Sequence, residues 1–235
     1  MKKSGAFWLV ALAALTLVSC SDGGQAPTDK GASAGDATNV GQARPLGPDT
    51  QLILAFGDSL YAGYGLAPAE GLAPELERAM TAAGRDVRVH NAGVSGDTTA
   101  AGLARLAFTL DGLPRAPDLA IVGLGGNDML RGISPVQTSA NLDAILAELD
   151  RRNIPVVLTG MQGSPNMGPD YLAAFNPIFA DLAGSHDARL YPFLLDGVVG
   201  QPGLILADGI HPNAAGIDAI VARLAPVVAN ALPPR

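Results

Sequence analysis

The chain has 235 residues, a formal charge of −7, 48% hydrophobic residues and a single cysteine. It carries no basic cluster, which excludes nucleic acid as a partner, and its acidic balance disfavours electrostatic adhesion to anionic lipid. One cysteine and three scattered histidines give no cluster for a structural metal, and nothing in the chain calls for a cofactor. No segment repeats.

The first element is not part of the fold. Lys2 and Lys3 precede an apolar stretch from Phe7 to Val18. A helix needs roughly 20 apolar residues to span a bilayer, so this stretch reads as a secretory signal peptide over residues 1–19. Leu17-Val18-Ser19-Cys20 then resembles a bacterial lipobox, in which the cysteine is acylated and becomes the new N-terminus. A plain signal peptide would leave an awkward unpaired thiol, and lipidation of Cys20 removes it. Ser21 in place of aspartate is similar to the pattern of lipoproteins sent to the outer membrane. The expected location is therefore the bacterial envelope, with a lipid anchor on Cys20 as the contact with the membrane. Residues 20–48 are rich in Gly, Ala, Ser, Thr, Asp and Pro without periodic apolar positions, which predicts a disordered tether.

Residues 49–235, about 185 in number, are the size of one domain. Gln51 to Phe56 is a buried strand stopping at Gly57, and Pro68 to Ala83 a helix closed by Gly84. Val87 to His90 is a second strand. Thr98 to Leu110 has Leu103, Leu106 and Leu110 at helical spacing, with Asp97 as its expected cap. Leu119 to Leu124 is a third strand, and Ser134-Pro135 opens a helix to about Arg152. Pro155 to Thr159 is a strand, Asp170 to Ala183 a helix, Arg189 to Tyr191 a short strand and Pro212 to Leu232 the last helix. Strands alternating with helices of ten or more residues predict an α/β fold with a mostly parallel central sheet flanked by helices. Ligands of such sheets sit beyond the carboxyl ends of the strands, where each motif below falls.

Phe56-Gly57-Asp58-Ser59-Leu60 puts Ser59 directly after the first strand. Taken alone, a serine there is more often a small residue opening a helix. Asp208-Gly209-Ile210-His211-Pro212-Asn213 precedes the last helix. A nucleophilic serine needs a base, usually histidine, and the imidazole needs an acceptor at Nδ1 to fix its tautomer. Asp208 can supply that acceptor across a glycine turn, although the segment also reads as a helix start with a capping aspartate. His90 and His186 lack such a partner nearby and read as strand-end and surface residues. Gly96, after the second strand, can present a bare N–H, and Asn127, after the third, a side-chain amide; both suit a developing oxyanion. The competing reading is a pair of tight turns, with Asn127 in a left-handed conformation.

Taken together, Asn91-Ala92-Gly93-Val94-Ser95-Gly96-Asp97-Thr98, Gly102-Leu103-Ala104-Arg105-Leu106, Leu124-Gly125-Gly126-Asn127-Asp128 and the Ser59 and His211 segments resemble the SGNH (GDSL) hydrolases. The likeness is to their bacterial arylesterase, acyl-CoA thioesterase and lysophospholipase branch and covers essentially Leu52 to Leu232. It implies a three-layer flavodoxin-like sandwich, a serine esterase or thioesterase with Ser59, Asp208 and His211 as triad, and an oxyanion hole of the Ser59 and Gly96 N–H groups with Asn127. The implied partner is a small acyl ester, thioester or lysolipid. Two departures stand out: Ala73 precedes Pro74 where the family commonly has an aromatic, and Met161-Gln162-Gly163-Ser164-Pro165-Asn166 departs from the family's loop, predicting more flexibility beside the acyl site. A Gly-x-Ser-x-Gly elbow is missing, and Gly123-Leu124-Gly125-Gly126 lacks dinucleotide-binding spacing. The remaining alternatives are a carbohydrate O-deacetylase on the same scaffold and a non-catalytic lipid-anchored envelope binding protein.

Overall fold

A computed structural model describes residues 46–234, so the expected signal peptide, Cys20 and most of the expected tether lie outside the described residues. Gly47 and Thr50 close a turn that leads into the first strand. Five strands form one sheet: β1 (Gln51–Gly57), β2 (Val87–Gly93), β3 (Leu119–Gly123), β4 (Val156–Thr159) and β5 (Arg189–Tyr191). Their order is β2-β1-β3-β4-β5 and every pairing is parallel. Between them run α1 (Ser59–Ala62), α2 (Leu72–Ala82), α3 (Thr99–Asp111), α4 (Gly126–Leu130), α5 (Pro135–Arg151), α6 (Pro169–Phe175), α7 (Ile178–Ser185) and, after β5, α8 (Ala214–Ala231).

β1 is buried along its whole length because both its faces are covered. Ile53 and Ala55 join one core with residues of α2 and α8, including Leu76, Met80, Ile217, Ile220 and Leu224. Leu54 and Phe56 point the other way, into a core shared with α3, α5, α6 and α7. This two-residue alternation makes the three layers. Because β1 feeds β2 on one side and β3 pairs with it on the other, the chain reverses direction across the sheet between β1 and β3. A crevice opens there at the carboxyl ends, and it receives the residues that follow β1 and β3.

Several expected boundaries change, each for a local reason. The predicted helix over 68–83 is α2, shorter at its start, because residues 67–71 form turns, including a bond from the Glu70 N–H to the Ala67 carbonyl. The cap of α3 is Thr98, whose hydroxyl accepts from the Ala101 N–H, and not Asp97, whose carboxylate is taken by Arg105. The predicted helix over 170–183 is two, α6 and α7, parted at Asn176-Pro177. Both residues keep helical dihedrals, but Pro177 has no N–H, so the hydrogen-bond ladder is interrupted there.

Candidate active site

β1 delivers the chain to Asp58, whose carboxylate accepts from the Leu60 N–H at 3.0 Å and starts the single turn of α1 with Ser59 as its first residue. The short helix fits under the sheet because Tyr61 is buried below it and bonded to Thr159 on β4 at 2.7 Å. Ser59 is thus held half-buried at the crevice.

The base arrives from the far end of the chain. Leu204 to Asn213 folds back on itself: Ile205 bridges Pro212, the Leu206 N–H donates to the His211 carbonyl at 2.7 Å, and the Asn213 N–H to the Leu204 carbonyl at 3.0 Å. Asn213 then caps α8 by accepting from Gly216. Gly216 has no room for a side chain, since a Cβ there would lie 2.1 Å from the Leu204 carbonyl oxygen. At the tip of this hairpin one oxygen of Asp208 accepts from the N–H groups of Ile210 and His211 at 2.9 and 3.0 Å, and the other from His211 Nδ1 at 2.7 Å. The two backbone donors, then the imidazole, hold the Asp208 carboxyl down to about 2, so it is ionised at any working pH. With Nδ1 committed, Nε2 is left to accept, and it lies 2.8 Å from Ser59 Oγ. The Tyr64 ring packs on the imidazole, centroids 4.4 Å apart.

Two loops complete the crevice. The loop after β2 makes a turn closed by the Asp97 N–H on the Val94 carbonyl, with Gly96 in its third position at φ +88°. A turn of that kind requires glycine there. The loop after β3 passes through Gly125 (φ +110°) into α4, which carries Asn127. Asn127 is therefore helical, and the left-handed residue of that turn is Gly125; the left-handed reading of Asn127 is corrected. Asn127 Nδ2 donates to the Asp97 carbonyl at 3.0 Å. Its second N–H meets Asp58 only at 3.5 Å, too long for a strong bond and open to a better acceptor. Among the described residues, the N–H groups of Ser59 and Gly96 donate to no protein acceptor.

The structure thus brings together every residue singled out in the domain: Ser59, Gly96, Asn127, Asp208 and His211 line or adjoin one cavity of about 540 Å³. Much of its lining is apolar, with Leu60, Met129, Met161, Phe193, Leu195 and Val199. The loop at 161–166 lines it too, held by the Gly163 N–H on Asn176 and the Ser164 N–H on the Met129 sulfur. Among the described residues no cluster of His, Cys, Asp or Glu is placed to hold a metal.

Four supporting residues escape sequence reasoning. Asp128 is fully buried and accepts from the Thr99 N–H and hydroxyl and from Thr138, tying α3, α4 and α5 together behind Asn127. Arg105 joins Asp97 to the Gly57 carbonyl while lying on the Phe56 ring. Arg131 and Tyr64 are the others. Asp128 and Arg105 stood inside quoted motifs, yet their partners are far enough along the chain that only the fold reveals the contacts. Asp58 is pushed up to about 6, chiefly by burial.

A serine, an imidazole and a carboxylate in line, facing unpaired N–H groups at the edge of a parallel α/β sheet, define a serine hydrolase. Residues 55–219 match the GDSL-like Lipase/Acylhydrolase family, and the chain belongs to it. It is 41% identical over 165 residues to "Esterase TesA" of Pseudomonas aeruginosa, covering 70% of this chain and 81% of that protein. To "Thioesterase 1/protease 1/lysophospholipase L1" of Escherichia coli (strain K12) it is 38% identical over 170 residues, covering 72% and 78%. The crystal structure of AlinE4, an SGNH-hydrolase family esterase, superposes with a TM-score of 0.67 at 50% identity, covering 81% of this chain and all of that one. The protein is accordingly an enzyme, a carboxylic ester hydrolase.

Proposed function

We propose that the protein hydrolyses carboxylic esters and thioesters through an acyl-enzyme on Ser59, and the observation that carries this is the continuous line Asp208–His211–Ser59 at 2.7 and 2.8 Å. His211 Nε2 takes the Ser59 proton as Oγ attacks the acyl carbon. The carbonyl π electrons move to oxygen, and the oxyanion is received by the Ser59 and Gly96 N–H groups and by the Asn127 N–H that faces Asp58 only loosely. Collapse breaks the bond to the alcohol or thiol, which leaves with the proton that His211 held. Water then attacks the acyl-enzyme, again deprotonated by His211, and the acid departs as Ser59 recovers its proton. Asp208 stays ionised, orients the imidazole and supports its positive charge.

The apolar cavity suits an acyl chain, in keeping with the esterase, thioesterase and lysophospholipase named among the relatives. Ser59→Ala should abolish covalent labelling by a fluorophosphonate and remove most turnover of p-nitrophenyl esters, whereas Asp208→Asn should slow both by up to about 10⁴-fold. Full turnover in Ser59→Ala would refute the assignment.

The lysine pair, apolar stretch and Cys20 further support export of the chain with residues 1–19 as signal, lipidation of Cys20 and a tether reaching the catalytic domain. Stable anchoring takes more than one acyl chain, as a lipoprotein cysteine provides. Metabolic palmitate should label the wild type and not Cys20→Ala, and an unlabelled wild type would exclude the anchor.

A further inference from the structure

We infer that Arg131 is a positioning residue of the oxyanion hole, fixing the Gly96 turn against the helix that carries Asn127. The inference rests on the reading of the site given above. Arg131 ends α4; its own N–H closes that helix on the Asn127 carbonyl at 3.1 Å, and its guanidinium reaches across to the Gly96 carbonyl at 2.8 Å. Arg131 therefore bonds to the backbone of two of the three segments that supply oxyanion donors, its side chain to the Gly96 turn and its own N–H to α4.

The rest of the Gly96 turn is held at its ends. Val94 donates to the Gly57 carbonyl, and the Asp97 carbonyl and carboxylate are taken by Asn127 and Arg105. Gly96 itself has no side chain to pack and a backbone of wide freedom. Its carbonyl is held by Arg131 alone among the described residues. A Cβ at Gly96 would come 3.5 Å from the same guanidinium, so the cation lies alongside the glycine as well as on its carbonyl. A charge-assisted bond of this kind is stronger than a neutral one, and arginine offers it with a preorganised fork. Without it the turn is free to drift, and a displacement of about 1 Å at a reacting centre can cost up to about 10²-fold in rate. Because Arg131 is exposed and fastens only one donor, the expected loss is smaller.

The test is Arg131→Met, which keeps the length of the side chain and removes the donor. Its kcat for a p-nitrophenyl ester should fall roughly 10-fold with KM changed less than about twofold, because the donor acts in the transition state. Phosphonylation of Ser59 by a p-nitrophenyl phosphonate, which also places a charged oxygen among the same donors, should slow in parallel. Arg131→Lys should restore much of both rates, since the ammonium can still donate to the Gly96 carbonyl. Melting of both variants should match the wild type within a few degrees. Should Arg131→Met destabilise the fold, Arg131→Gln and Arg131→Lys, compared at a temperature where both are folded, decide by the same kcat and phosphonylation rates. An unchanged kcat, a loss confined to KM, or a lysine variant as slow as the methionine one would overturn the inference. Ser59→Ala separates the two levels: if it still turns over, the site itself is misassigned; if it is dead while Arg131→Met is normal, only the role of Arg131 falls.

Discussion

At the scale of single residues, the oxyanion hole turns on the division of labour within one amide. Asn127 spends one N–H on the Asp97 carbonyl and keeps the other, loosely facing Asp58, for the substrate. Asn127→Ala should therefore lower kcat by roughly 10² to 10³ and leave KM nearly unchanged. Alanine is the right probe because Asn127 is helical, and alanine is the best helix former. Glycine would add its own helix penalty of about 1 kcal/mol. A raised KM with kcat preserved in Asn127→Ala, read from steady-state kinetics, would remove it from the oxyanion hole. Asp58 adds a pH-sensitive neighbour: its carboxyl, pushed up to about 6 mainly by burial, is mostly ionised above pH 7 and then accepts weakly from the amide that the oxyanion must claim.

At the scale of elements, two helices are joined by a histidine that sequence reading assigned to the surface. His186, at the end of α7, lies between Asp150 at 2.5 Å and Asp143 at 2.9 Å, both on α5. Burial pulls its pKa down, but the two carboxylates outweigh burial and the net shift is upward. A raised histidine contributes stability that is whole below its unfolded value, about 6.5, and is lost as pH climbs through the folded one. The melting advantage of the wild type over His186→Gln should thus be larger at pH 6 than at pH 9. With both carboxylates about half exposed, its size is expected to be at most about 1 kcal/mol, some 2–4 °C for a domain of this size. An advantage that is constant across that range in calorimetry would exclude the ionic bridge. The aspartates lie 36 and 43 residues before the histidine, so nothing local announces the contact.

The same distinction explains what was legible elsewhere. Strands β1, β3 and β4 were visible as short buried apolar runs, and β2 and β5, which are less buried, by their places between helical patterns. The triad and the glycine and asparagine donors were visible because each sits in a compact motif. α1 and α4 were hidden, at four and five residues, since so short a helix has no room for periodicity. The split of α6 from α7 hung on one proline in an otherwise helical pattern. Asp128, Arg105 and Arg131 each act through at least one partner 29 to 48 residues away in sequence, which only folding brings near.

At the scale of the molecule, the hairpin of Leu204 to Asn213 is bonded chiefly to itself. The polar contact from His211 to the body of the site is its bond to Ser59, supported by the Tyr64 ring. Detaching such a segment costs less than unfolding the sheet. Ser59 labelling should accordingly fail at lower urea than far-UV circular dichroism does. Coincident midpoints would show that the hairpin and the sheet unfold as one.

The placement of that hairpin also divides the enzyme's chemistry along the chain. The nucleophile and the anion-binding groups are complete by Asn127, while the entire proton-handling apparatus lies between Asp208 and His211, followed by a helix with its own apolar stripe of Ile217, Ile220, Val221, Leu224 and Val228. The exposed turns around Gln201 and Pro202 separate the two parts. A break there leaves one fragment that can present a serine it cannot activate and another that carries a base without a target. Chemistry then depends on reassembly, which makes the fold a natural split reporter, silent in halves and active when the last helix returns to its groove.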